Sequence, residues 1–176
     1  MSLTRLAQGT FSLVVGLGLA APVLGNEVNL THGCVPVEGT FTEILVDARL
    51  STFDPFGRVV NFTDGTIESV GTAILTTVGP GADPGTLEAT TRHLFILNPS
   101  DQIIATGVAV FTPIPNTDNV HDRLILTIKG GLGKFENAIG AIEAVGTGFD
   151  FFPLPPGPAP GRSFFVFHYS GQVCVP

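Results

Sequence analysis

Four histidines, one tyrosine and fifteen acidic residues are the groups in this 176-residue chain best suited to moving protons, and what each can do depends on whether its strand turns it toward apolar neighbours. His93 keeps step with Leu87, Ala89, Thr91, Phe95 and Leu97, which puts it on the apolar face of its segment, while Glu88, Thr90 and Arg92 take the other face. Glu143 alternates in phase with Ile139, Ala141 and Val145. A carboxyl in such company has its pKa raised by desolvation and can act as a general acid or base near neutral pH; the plainer reading of a lone Glu in a Gly/Ala-rich strand is an outward, solvated side chain. Near the carboxyl terminus, Phe164, Val166, His168 and Ser170 share one parity and Phe165, Phe167 and Tyr169 the other, so both faces are apolar. Such a strand needs a lumen on one side and a subunit neighbour or a bound hydrophobe on the other. His93, Phe95, Glu143, Phe165, Phe167, His168 and Tyr169 are therefore the candidate lining of a ligand-binding lumen, with no catalytic role assigned; for the two histidines a satisfied core or rim position is the alternative. Glu43, Asp47 and Arg49 alternate with Thr42, Ile44, Val46 and Ala48 and read as a solvated outer face.

Several chemistries are excluded. No G-x-S-x-G elbow occurs, so nucleophilic catalysis by serine has no support. The four histidines and two cysteines lack zinc-ligand spacing. A formal charge of −7, with no cluster among the eight basic residues, argues against a nucleic-acid partner. The glycine-rich run from Gly130 to Gly140 is followed by strand pattern rather than a helix, which removes the phosphate-cradle reading.

The elements that must hold these side chains are strands. Thr, Val, Ile and Phe recur in short runs broken by Gly, Pro, Asn and Asp, an all-β signature. The runs fall at 40–50, 58–63, 66–78, 86–97, 102–112, 121–129, 137–148 and 162–175, and about eight antiparallel strands are enough to close a small barrel. Asp64-Gly65 has the chemistry of a two-residue type I′ hairpin, and Asn98-Pro99-Ser100-Asp101 that of a four-residue type I connection. The run from Pro153 to Gly161, rich in proline, cannot join a ladder and reads as a stiff rim loop.

The first 25 residues, with Arg5 before an apolar centre and a small-residue exit at Gly25, have the form of a secretory signal peptide; its apolar centre is shorter than the roughly 20 residues that span a bilayer. Residues 26–176 are then expected to form one domain, exported to the periplasm or secreted, and off the membrane once the leader is cleaved. In that setting Cys34 and Cys174, the only cysteines, are expected to form a disulfide, the alternative being two buried thiols. Glycosylation sequons stand at Asn29 and Asn61.

The segment Gly130-Gly131-Leu132-Gly133-Lys134-Phe135-Glu136-Asn137-Ala138-Ile139-Gly140 resembles the glycine motif of the allene oxide cyclase and dirigent superfamily of eight-stranded antiparallel barrels. Gly131, Gly133, Phe135, Ala138 and Gly140 match both families, and Gly130 and Glu136 the cyclases; Leu132 and Asn137 depart. Arg162 to Gly171 is similar to the aromatic closing strand of the cyclases, and Cys34 with Cys174 fits the terminal disulfide of dirigent proteins. The likeness runs from about Ile103 to Cys174 and carries over no catalytic residue, because those of the cyclases lie largely in early strands that show no matching motif here. It implies a barrel that binds a small hydrophobic molecule and guides its cyclisation or coupling by shape, without cofactor or metal. The residues themselves leave open a non-enzymatic extracellular module that contacts a partner or a second copy of itself.

Overall fold

The computed structural model describes residues 33–50, 55–151 and 162–176, and among these the side chains of all but 47–50, 55 and 56. The leader, the Asn29 sequon and the Pro153 to Gly161 run lie outside the described residues. Eight antiparallel strands follow one another around a closed barrel: β1 (Gly33–Leu50), β2 (Pro55–Gly65), β3 (Ser69–Pro80), β4 (Leu87–Ile96), β5 (Gln102–Pro113), β6 (Val120–Leu132), β7 (Ile139–Phe149) and β8 (Phe164–Val175). β8 returns to pair with β1, so no sheet edge is left open.

Alternation explains the closure. In β6, Val120, Asp122, Leu124, Leu126 and Ile128 point inward while His121, Arg123, Ile125, Thr127 and Lys129 face out, with no break in phase. An eight-stranded barrel is only wide enough for its own side chains. Here a column of rings fills most of that width: Phe165 and Phe167 lie 5.9 Å apart by centroid, Phe167 and Phe41 5.4 Å, Phe41 and Phe95 5.7 Å. Both faces of β8 are apolar, as its sequence requires, but the side chains it buries are Phe165, Phe167, Tyr169, Val173 and Val175.

At one end of the barrel the glycine motif does a mechanical job. β6 runs to Leu132 and a single 3-10 turn, Gly133–Phe135, carries the chain over the barrel mouth and drives Phe135 into the core. Gly133 has φ of 63°, and a Cβ there would run into Ser100 and Asp101 of the β4–β5 turn. The two turns therefore nest, with the Lys134 N–H donating to Asp101 Oδ1 at 3.2 Å. At the same end Cys34 and Cys174 face each other across β1 and β8 and are joined by a disulfide. Tyr169 also belongs here: its hydroxyl accepts from the Ile67 N–H at 3.0 Å and donates to the Ile67 carbonyl at 3.3 Å.

The expected Asp64-Gly65 two-residue hairpin is not formed. β2 extends through Gly65, and Thr63 pairs with Ser69, leaving Thr66, Ile67 and Glu68 in the connection. The reason is Ile67, which is buried and held by Tyr169, so core packing and its two hydrogen bonds outweigh local turn chemistry.

Candidate functional site

The other end of the lumen is built differently. Glu43 from β1, Asn61 from β2, Thr91 and His93 from β4 and Asp122 from β6 all turn inward and are buried. His93 is 3% exposed and Asp122 4%, values that leave no route to bulk water for their charges. Glu43 Oε1, both terminal atoms of Asn61, His93 Nδ1 and Asp122 Oδ1 have no hydrogen-bond partner. Native interiors rarely leave such groups unpaired, and where they do a bound water or ion, strain or a functional role accounts for them. One contact is satisfied, between His93 Nε2 and Thr91 Oγ1 at 2.9 Å.

Burial sets the protonation of the cluster. It pushes the Glu43 carboxyl from 4.5 up to about 8 and the His93 imidazole from 6.5 down to about 3. The Asp122 carboxyl is also held well above its usual range, first by burial and then by the nearby Glu43. His93 Nδ1 stands 3.5 Å from Glu43 Oε1, but with the acid protonated and the imidazole neutral the contact is not an ion pair. At neutral pH the Glu43 carboxyl thus keeps its proton and the His93 imidazole carries no charge, beside an Asp122 carboxyl whose pKa burial also raises.

Beside these groups lies a cavity of about 30 Å³ lined by Glu43, Thr91 and Asp122 and by Phe111, Phe151 and Phe165 among other apolar side chains. The three rings pack on one another, with centroids 5.0, 5.4 and 6.0 Å apart. A hollow of this size holds about two waters, or the head of a ligand. A second cavity of about 20 Å³, nearer the disulfide end, is lined by Phe41, Ile67, Phe95 and Tyr169 and is almost wholly apolar.

Of the candidate lumen residues, His93, Phe95, Phe165, Phe167 and Tyr169 do point inward. Two do not. Glu143 lies on the outer face, where its carboxylate takes a hydrogen bond from Arg123 Nε at 2.6 Å, and His168 is likewise exposed. Shared parity with apolar neighbours such as Val145 and Val166 predicts both inside, but those neighbours are themselves on the outside of the barrel. Glu43 errs the other way. Alternation with Ile44 and Val46 predicts an outer Glu43, yet these two apolar residues are the exposed pair, and Glu43 follows Phe41 and Leu45 inward. The side chains of Asp47 and Arg49 lie outside the described residues. The Asn61 sequon is also excluded in the folded barrel, since its amide is fully buried.

Asp122 and Asn61 escaped the sequence reading, although a signal was present: Asp122 keeps phase with Val120, Leu124 and Leu126, and Asn61 with Val59. Among the described residues no three His, Cys, Asp or Glu side chains gather as a metal set, and no helix is long and apolar enough to cross a membrane.

The fold and the cluster together define a closed barrel with an acidic, ring-lined hollow at one end. Neither a protein-family model nor a curated protein matches this chain. The likeness to allene oxide cyclases and dirigent proteins rests on the residues named above.

Proposed function

We propose that this barrel is an exported small-molecule binder of the allene oxide cyclase and dirigent kind, which takes a largely apolar ligand at the cavity end of its lumen and guides cyclisation or coupling by confinement. The observation that carries the reading is the pair of orphaned, buried carboxyls, Glu43 and Asp122, facing one ring-lined hollow. A barrel evolved only for stability has little reason to keep them, because apolar residues of similar volume cost less to bury. The hollow receives the polar end of the ligand, and protonated Glu43 is placed to donate to it. The disulfide accords with an oxidising compartment.

An environment-sensitive apolar dye tests this directly. Saturable binding to the wild-type protein is expected, with loss of binding in Ala109→Leu, which fills the hollow from β5. A wild-type barrel that shows no saturable binding sinks the proposal.

A second reading draws on the outer surface. Val166 of β8, Phe62 of β2, Val70 of β3 and Ile96 of β4 are exposed along one ladder of paired positions, broken only by Thr42 of β1. That band favours a module that contacts a partner or a second copy. Light scattering that reports a stable oligomer, together with failed dye binding, selects it.

A further inference from the structure

We propose that the ligand head received by Glu43 and Asp122 is an amine, bound as its ammonium ion, and that the lumen rejects carboxylates. The inference rests on the reading of the barrel as a small-molecule binder and names the chemical class of its ligand.

Three observations point the same way. Charge comes first. Arg58, Arg92, Arg123, Lys129, Lys134 and Arg162, all the Lys and Arg side chains among those described, are exposed. Among the described residues no Lys or Arg side chain therefore faces the hollow to receive an anion, and His93, beside Glu43, is held uncharged by burial, whereas two carboxyls do line it. A carboxylate entering here loses its water and meets only acids.

Donor count comes second. Glu43 and Asp122, which line the hollow, each leave a buried oxygen without a hydrogen-bond partner, Oε1 and Oδ1. An ammonium brings three N–H donors and no acceptor, and these oxygens complement it once one carboxyl has given up its proton. The third observation is the ring cluster. Phe111, Phe151 and Phe165 pack within 5.0 to 6.0 Å of one another and wall the same hollow. Rings around a small space attract an organic cation through their negative faces, most strongly where water is excluded.

The loading step balances in protons and in charge. An uncharged amine entering the lumen takes the proton of a carboxyl O–H onto its nitrogen, so the ion pair forms inside and no net charge crosses the wall. The cavity, at about 30 Å³, suits the head alone, so the rest of the ligand reaches along the ring column or out past the rim.

The experiment compares hexylamine, hexanol and hexanoate, three probes of one length, by saturation of chemical-shift changes in the wild-type protein at pH 7. Hexylamine is expected to bind about tenfold or more tighter than hexanoate, with hexanol between. In Glu43→Gln/Asp122→Asn the preference should shrink to within a few-fold, whereas Glu143→Gln on the outer wall should keep it in full. Hexanoate binding as tightly as hexylamine overturns the proposal, as does a preference that survives the double variant. If dye and hexanol bind without any amine advantage, the headgroup assignment alone falls. If neither dye nor any probe saturates, the small-molecule reading falls with it.

Discussion

Asp101 and Asp122 sit at opposite ends of the same barrel and show how differently the two ends are built. Asp101 accepts hydrogen bonds from Asn98 Nδ2 and the Lys134 N–H and lies 3.6 Å from Lys134 Nζ, and these partners hold its carboxyl below the usual range even against burial. Asp122 leaves an oxygen unpartnered and is held well above that range. Around Asp101 stand the nested turns, the disulfide and the Tyr169 bonds to Ile67, so that end is tied by satisfied interactions. Asp122 shares a hollow with Glu43, beside which stand Asn61 and His93, each with orphaned atoms. The division is that of a frame and a site. Polar groups that hold a fold together find partners inside the chain, while those kept without partners leave their hydrogen bonds for something that arrives from outside.

The sharpest way to break the comparison is to untie the frame. In Cys34→Ser/Cys174→Ser the unfolded chain regains the freedom of a 140-residue loop, and the chain-entropy model puts the loss at about 5 kcal/mol. Chemical denaturation should show the midpoint falling by a large fraction of its wild-type value. The cavity end lies far along β1 and β8 from the bridge, so dye binding by the fraction still folded should be unchanged. A variant that stays folded yet loses the dye shows that the two ends are coupled.

Next in size is the response of the site to pH. Glu43 keeps its proton to about pH 8 in the folded state but loses it near 4.5 when unfolded, so stability falls as pH rises through that window and flattens above it. Asp122 contributes in the same direction, starting from 3.8. His93 opposes them: the unfolded imidazole takes a proton below 6.5 and the folded one only near 3, so its contribution to stability declines as pH drops between those values. The terms sum to a stability maximum on the acid side, around pH 4, and a decline of a few kcal/mol toward pH 8. Glu43→Gln/Asp122→Asn removes the downward limb, so its thermal midpoint at pH 8 should exceed that of the wild type. A wild-type maximum at pH 7 to 8 contradicts the burial of these acids.

How much of this was legible beforehand follows from the same division. The frame was readable because its signals are local: glycines that only tolerate no side chain, a cysteine at each end of the paired strands, and strand runs whose observed bounds mostly shift by a few residues. β1 is the larger exception. It starts at Gly33 rather than 40, because its first residues, Val35 and Pro36 among them, pair with the end of β8 far along the chain. The site was half readable. Parity placed His93 and Phe165 correctly, but it identifies the inner face only when the outer one is polar. Here Ile44, Val145 and Val166 are exposed, so apolar alternation on β1, β7 and β8 marks two faces equally well. Glu43 and Glu143 were exchanged for that reason, and only the closed barrel tells inside from out.

That exchange supplies the smallest effect and a clean control. Glu143 and Arg123 form a pair on the outer wall with side chains 48% and 58% exposed, where water screens the attraction. Glu143→Gln should therefore change stability by less than about 0.5 kcal/mol and leave both the pH profile and dye binding as they are. Its isosteric counterpart inside, Glu43→Gln, should move both. The two substitutions remove the same charge from the same residue type, so the difference between their denaturation curves across pH measures what the lumen alone does to a carboxyl. Equal curves would place Glu43 in water and dissolve the distinction between wall and lumen on which the site depends.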